Sequence, residues 1–428
     1  MSDGTKEGFG FGLLRGPVLA VTVVNLVFFS GYLFFFPTLP FFIEGLGGRE
    51  SGIGLLIGIS SLTSLAMRPF VGYFVDQKGR KPILLTGMLL FAVNCILYNV
   101  VTAPAAVLPL RLLTGASLAT VITGASTYIA DFAPPERRGE ILSYFALSNA
   151  LGFAIGPALG GWIINADVLS DFDGFFTSRF DWIAGAHAGD YNFTTMFLVA
   201  TGLGLVAAAI VTRMPESRPG PAPEPRRPNM GDFISRAALL PMMVNFGVAV
   251  SFAGMVTFLP LFAREHGLEN SGNLFVMYAL MVLVMRFTVG RVIDRFSRAT
   301  IIIPSIVMLV ATMVVVATAQ NVATLFLAAG MWGAGAGVFQ PAMMAFTVDR
   351  TPVELRGRAM STFTMGMDLG ISVGSFSLGI VVELLNFRVA YAVAACAVAA
   401  GLLLFTWAWM RTSSVAGQPA GDPSSAAR

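Results

Sequence analysis

Apolar residues in this chain come in long runs, not in short alternations. Runs of about 20 or more mostly apolar positions fall near 17–45, 52–75, 83–102, 105–130, 140–164, 192–213, 235–262, 272–294, 300–319, 322–347, 358–383 and 388–410. Short stretches rich in Gly, Pro and charge separate them. Each run is long enough to cross roughly 30 Å of hydrocarbon. Lipid offers no hydrogen-bond partners, so every backbone N–H and C=O must pair within its own segment, and the runs are predicted to be helices. The fold class expected is an all-α membrane protein with twelve transmembrane helices. Composition agrees: the chain is 55% hydrophobic and 12% charged, about half the charged share of an ordinary soluble domain.

The chain also repeats itself. Met67, Arg68, Gly72 and Asp76 recur 218 residues later as Met285, Arg286, Gly290 and Asp294. At the same offset Asp131, Pro134, Glu136, Arg138 and Gly139 recur as Asp349, Pro352, Glu354, Arg356 and Gly357, and Gly152, Gly156 and Gly161 as Gly370, Gly374 and Gly379. One offset throughout argues for a duplicated half, hence two pseudo-symmetric six-helix bundles. The bundles are placed at 1–213 and 234–411, joined by a Pro-rich linker at 214–233 that is hydrophilic and expected not to pack. A Gly-, Ser-, Pro- and Ala-rich tail, 412–428, is expected to be disordered. Two copies of one membrane bundle enclose a cleft, and a cleft that opens to either side suits transport.

Basic residues set the orientation. With the N-terminus inside, twenty Lys and Arg fall in inside segments and four outside (Arg49, Arg179, Arg264, Arg388). Arg68, Arg111 and Arg286 within the spans complete the 27. Both termini are therefore expected in the cytoplasm, with the chain a multi-pass protein of the cell membrane. The net charge of +3 is orientation charge, and scattered basic residues do not make a nucleic-acid face. Residues 1–16 lack the apolar core and cleavage site of a secretory signal, so the first helix is expected to stay. Cys95 and Cys396 fall within apolar runs and are expected as small core residues, too few for a metal site. His187 and His266 fall at the outside surface. No phosphate-binding loop and no Ser–His–Asp constellation is present, so neither ATP drive nor enzyme chemistry is expected. No cofactor or metal is expected, and the chain is expected to act as a monomer. An outside loop at 165–191 holds Asp167, Asp171, Asp173, Asp181 and Asp190, as a lid, a rim or a surface insertion.

The loop Gly72-Tyr73-Phe74-Val75-Asp76-Gln77-Lys78-Gly79-Arg80-Lys81 joins the second and third spans. Gly72 would permit close helix approach, Asp76 ends a helix and Gly79 allows a tight turn. The pattern resembles the signature loop of the major facilitator superfamily, and the resemblance runs from the first span to the twelfth. It implies alternating access: two bundles rocking about a central site. It also implies a cytoplasmic gate in which Asp76, Arg80 and Lys81 cluster with Asp131, helped by Gly72, Gly79, Glu136 and Arg138. The second-half counterparts are Arg286, Gly290, Asp294, Asp349, Glu354 and Arg356. Charges that simply mark a membrane surface are the alternative. In the fourth span, Arg111 before Gly115 is similar to the family's Arg motif, with Thr114 where Gln is usual. In the fifth, Gly152, Gly156 and Gly160 share one helix face and Pro157 follows Gly156, so another helix can pack close. With Gly161 this looks like the signature of drug:proton antiporters, although Ser143 replaces one upstream Gly. That favours export.

Charged groups at membrane depth cost roughly 2.5–3.5 kcal/mol on insertion scales and mark function. Asp368 lies about 16 Å along its helix from Gly357, and Arg68 about 12 Å from Asp76, at 1.5 Å per residue. The two are at similar depth, on spans that face each other in this family. Asp368 is the candidate proton carrier, with Arg68 its charge partner; a fixed ion pair and a direct substrate contact are the alternatives. Arg286 would face the fifth span, where Asn149 and Ala150 offer no acid. Arg111 is either a cavity-facing anion or proton-relay residue or a snorkelling one. The resemblance puts the cavity between spans 1, 4, 7 and 10, with Asn25, Tyr32, Asn245, Phe252, Trp332 and Gln340 as candidates. A cavity with few charges suits amphiphilic substrates. The expected function is proton-coupled export of small amphiphilic compounds; the Asp-Leu-Gly at 368–370 resembles metallophore exporters. Metabolite uptake by proton symport and a non-transporting membrane scaffold are the alternatives.

Overall fold

The computed structural model of the chain describes residues 16–132, 138–179, 191–217, 234–289, 297–352 and 355–416. Among the described residues there is no strand. The long helices are α1 (Pro17–Gly45), α2 (Glu50–Lys78), α3 (Arg80–Leu97), α4 (Val107–Phe132), α5 (Arg138–Asn165), α6 (Phe193–Arg213), α7 (Leu239–Glu265), α8 (Gly272–Val289), α9 (Arg298–Ala317), α10 (Val322–Asp349), α11 (Arg356–Leu384) and α12 (Phe387–Ala416). Eleven are long and apolar enough to cross a membrane, and α8 is a shorter apolar helix. Its 18 residues still extend about 27 Å.

Helix irregularities follow from proline. α1 is interrupted at Phe34, because Pro37 and Pro40 have no N–H for the carbonyls of Leu33 and Phe36. Polar side chains start helices where the sequence supplies them: Ser297 accepts from Thr300 N and Asn321 from Thr324 N.

Packing repeats with the sequence. α1 packs on α5 and α6, α2 on α4, and α3 on α4 and α6. In the same way α7 packs on α11 and α12, α8 on α10, and α9 on α10 and α12. The halves meet through α2 on α11, α5 on α8, and the second segment of α1 on α7. Small residues allow these approaches. A Cβ at Gly152, Gly156 or Gly160 would lie 2.7 Å from Phe29, Leu33 or Phe34 of α1, so the glycine face of α5 is a seat for α1. Gly370 and Gly374 seat α11 on α7 in the same manner, against Phe246, Ala249 and Val250.

The phenylalanines of α1 are packing residues: Phe28, Phe29, Phe34 and Phe35 are buried. Two expectations need correction. Cys95 is buried, but Cys396 is exposed; an apolar helix does not mark which of its faces turns outward. α12 runs on to Ala416, so residues 412–416, assigned to the tail, continue the helix; 417–428 lie outside the described residues. Of the loop at 165–191, residues 170–179 form a short helix. Asp173 Oδ1 there accepts from Thr195 N (2.7 Å) and Oγ1 (3.0 Å), which caps the start of α6. Asp181 and Asp190 lie outside the described residues.

Candidate functional site: a cavity between the two halves

The bundle has two unlike ends. One carries Pro17, Lys78, Arg80, Lys81, Arg213, Arg298 and Arg356 and is called here the basic end. At the other, the far end, the two halves are in close contact. Gly54 and Gly58 of α2 lie against the backbone of Ser375 and Ser372 in α11, where a Cβ has no room. On the pseudo-symmetric side a Cβ at Gly161 would sit 2.8 Å from Gly272 Cα, and Gly379 is equally tight against Glu50 and Ser51. Ion pairs add to the seal. Arg264 Nη2 donates to both Glu44 oxygens at 2.5 and 2.7 Å, Arg49 lies 3.6 Å from Glu383, and Ser51 N donates to Glu383 Oε2.

Toward the basic end the contact relaxes. Phe70 is 61% exposed and Phe287 64%, and Tyr73 and Phe74 are exposed too. Gly72, expected to permit close helix approach, has nothing within 4 Å of a Cβ position. That expectation fails for this conformation, because a side chain at Gly72 would meet open space rather than another helix.

A cavity of about 290 Å³ lies between the halves. Its walls are apolar and aromatic (Phe153, Phe252, Trp332, Val248, Val282 and Leu309) with Asn149, Asn245, Tyr278, Gln340 and Arg286 among them. Four of the six residues expected there are present: Asn245, Phe252, Trp332 and Gln340. Asn25 is not. It is buried and donates to Ser148 Oγ at 2.8 Å and Asn149 Oδ1 at 2.5 Å, so it positions a cavity residue instead of lining the wall. Tyr32 lines a separate pocket of about 40 Å³ nearer the far end, with Arg111, Ser60, Thr257 and Ser375. Phe252 lines both. Phe36, Phe153 and Phe252 meet with ring centroids 5.9–6.3 Å apart, an aromatic partition between the two spaces. The rings of Trp332 and Tyr278 meet at 4.0 Å, tilted by 34°.

Three arginines lie within the spans, and their surroundings differ. Arg68 Nη2 is 2.7 Å from Asp368 Oδ2, and Arg68 Nη1 donates to Thr364 Oγ1 at 3.1 Å, across the boundary between α2 and α11. Asp368 Oδ2 and Arg68 Nε are buried and otherwise without a hydrogen-bond partner. Arg111 is 4% exposed and donates to Leu56 O, Ile57 O and Ser60 Oγ of α2. It does not snorkel; it ties α4 to α2 beside the smaller pocket. Arg286, placed with the gate on sequence, lines the main cavity, and among the described residues no carboxylate reaches it.

The charged loop residues also meet. Arg80 Nε donates to Asp131 Oδ2 at 2.8 Å, and its Nη1 lies 3.9 Å from Asp76. Lys81 Nζ donates to Thr212 O. Gly79 turns the chain at φ +96°, a conformation that favours glycine. The linker, expected not to pack, does so at its start: Glu216 accepts from the backbone N–H of Arg80 and Lys81, Ser217 Oγ donates to Asp131, and Tyr128 Oη donates to Pro215 O. In the second half Arg298 Nε donates to Asp349 Oδ2 at 2.9 Å. Arg298 was missed as a site residue, yet Arg80 plus the repeat offset points to it. Arg356 is exposed at the start of α11, and Arg138 opens α5. Glu136, Gly290, Asp294 and Glu354 lie outside the described residues.

The chain belongs to the Major Facilitator Superfamily: the family model matches residues 21–279 and 269–427. It is a multi-pass membrane protein with that family's twelve-helix fold. An MFS-type transporter of Methanocaldococcus jannaschii is 24% identical over 89% of this chain and 95% of its own length. Multidrug resistance protein 1 of Bacillus subtilis is 29% identical over 39% of this chain and 42% of its own. Among solved structures, a bacterial homologue of the human lysosomal transporter Spinster superposes with a TM-score of 0.72 at 15% identity, covering 91% of this chain and 94% of that one.

Proposed function

We propose that the chain is a proton-coupled secondary transporter that works by alternating access and exports small amphiphilic compounds. The observation that carries the coupling is the Arg68–Asp368 pair at 2.7 Å. It joins the halves on the basic-end side of their glycine contacts. When the halves rock and the contact between α2 and α11 rearranges, the buried carboxylate loses the one cation beside it. Such a group takes up a proton rather than stay charged in a medium of low dielectric. Proton exchange at Asp368 is thereby tied to the rocking motion.

The basic end faces the cytoplasm, as its excess of Lys and Arg supports, so this conformation is closed to the outside and open inward. Asp76, Arg80, Asp131 and Lys81 form the inner gate with Arg298 and Asp349. The cavity between the halves holds the substrate, and its aromatic wall suits an amphiphile. Export is supported by the likeness to multidrug resistance proteins of Bacillus subtilis. The chain works as a monomer in the cell membrane, with no nucleic acid, cofactor or metal.

The test is transport in proteoliposomes under an imposed pH gradient. The wild type is expected to accumulate a lipophilic dye against its gradient. Asp368→Asn is expected to lose at least tenfold of that accumulation while still exchanging labelled for unlabelled dye. Accumulation undiminished in Asp368→Asn would reject the coupling role.

A further inference from the structure

Arg68 and Arg286 occupy equivalent places in the repeat, 218 residues apart. By the same offset the residue equivalent to Asp368 is Ala150. In one half-interface, α2 on α11, the arginine has its carboxylate at 2.7 Å. In the other, α5 on α8, the arginine is kept and the carboxylate is missing. Ala150 and Arg286 both line the main cavity, so the place of the missing acid is open space.

The other span arginines are paired with protein oxygens: Arg68 with Asp368 and Thr364, Arg111 with Leu56, Ile57 and Ser60. Arg286 has no hydrogen bond or ion pair among the described residues. Arg286 is exposed and lines the cavity, so no protein oxygen among the described residues holds its guanidinium and a ligand can reach it; a span charge that faces a cavity marks a ligand path. No acidic residue lines the cavity, and Arg286 is the one base in its wall among the described residues. Neighbouring groups add donors. Asn149 Oδ1 is occupied by Asn25 Nδ2, which leaves the Asn149 amide NH2 available. Tyr278 brings a hydroxyl to the same wall. The acceptor-rich, negatively charged partner that these donors lack is a carboxylate or another oxyanion.

We infer that the cavity takes organic anions: an amphiphile whose acid group sits against Arg286 in the space beside Ala150, completing in trans the ion pair that Asp368 completes in the other half. Its apolar body lies against Phe153, Phe252 and Trp332. This inference rests on the reading of the cavity as the substrate site and adds the charge of what enters it. A cationic amphiphile would meet Arg286 with no acid to offset the repulsion.

The experiment is calorimetric titration of the purified full-length chain in nanodiscs with three probes of one shape: 2-naphthoate, its neutral amide 2-naphthamide, and 2-naphthylmethylammonium. The carboxylate is expected to bind at least tenfold tighter than the amide, and the ammonium weakest. Arg286→Gln is expected to abolish the preference for carboxylate over amide, and Arg286→Lys to retain part of it. Ala150→Asp supplies the missing acid from within, and is expected to abolish the preference with Arg286 still in place. Should Arg286→Gln fail to fold, Ala150→Asp alone carries the test. Equal affinity for carboxylate and amide, tightest binding of the ammonium, or binding of none of the three would overturn the inference. Failure of pH-driven accumulation with the carboxylate preference intact would instead remove proton coupling and leave the anion site standing.

Discussion

Arg68 and Asp368 lie 300 residues apart in sequence and 2.7 Å apart in space, and they bind one half of the molecule to the other. The pair is partly buried, with 24% and 12% of the two side chains exposed. Removing one member leaves the other charge uncompensated, which is worse than removing both. Arg68→Gln alone is therefore expected to lower the melting temperature more than the double variant Arg68→Gln/Asp368→Asn. Thermal melts of the single variants and the double variant, read as a cycle, check this. A double variant less stable than Arg68→Gln would contradict it.

The two loop ion pairs are related by the repeat but not equally buried. Arg80 and Asp131 keep 11% and 16% of their side chains exposed, against 27% and 52% for Arg298 and Asp349. Exposed pairs contribute about 0.2–1 kcal/mol. Asp349→Asn is expected to stay within that range. Asp131→Asn, which also frees Ser217 Oγ, is expected to exceed it. Denaturation of the purified variants ranks them.

Two glycines both expected to permit close helix approach are expected to respond differently. Gly160 has no room for a Cβ beside Phe34, while Gly72 has open space. Gly160→Leu is expected to abolish folded protein, seen as loss of the monodisperse chromatographic peak. Gly72→Leu is expected to fold with wild-type yield, yet lose transport at least tenfold because the basic end cannot then close. Transport at wild-type rate in Gly72→Leu would deny that Gly72 serves closure.

The far-end seal combines apolar contact with exposed charge. Glu44 and Arg264 each keep 40% of the side chain exposed, so salt screens them, with a Debye length of about 10 Å at 0.1 M. Glu44→Gln is expected to raise thiol labelling of a cysteine placed at Ser61, buried in the smaller pocket behind the seal, and 1 M salt is expected to do the same to the wild-type seal.

Much of this was legible in the sequence because the bilayer imposes length. Twelve apolar runs gave twelve helices, and the 218-residue repeat foretold that the two halves pack alike. The Arg68–Asp368 pair followed from matching depths on two spans that the family resemblance places face to face. Direction around a helix was not legible. A span apolar on every side carries no facing signal, so Cys396 was assigned inward, Asn25 to the wall and Arg286 to the gate. Arg111 is satisfied by carbonyls of α2, which no side-chain pattern announces. The start of the linker packs because Glu216 meets two backbone N–H groups of the turn at Gly79, a contact that only the tertiary fold creates.

The central claim is reciprocal movement of two halves. Spin labels at Tyr73 and Leu355 report the basic end, and labels at Thr102 and Leu385 the far end. Double electron–electron resonance on both pairs in nanodiscs, as pH is lowered and a naphthoate probe is added, tests the claim most directly. The account predicts opposite changes: the basic-end distance shortens by several ångströms as the far-end distance lengthens. Distances that stay fixed, or that change in the same direction at both ends, would contradict it.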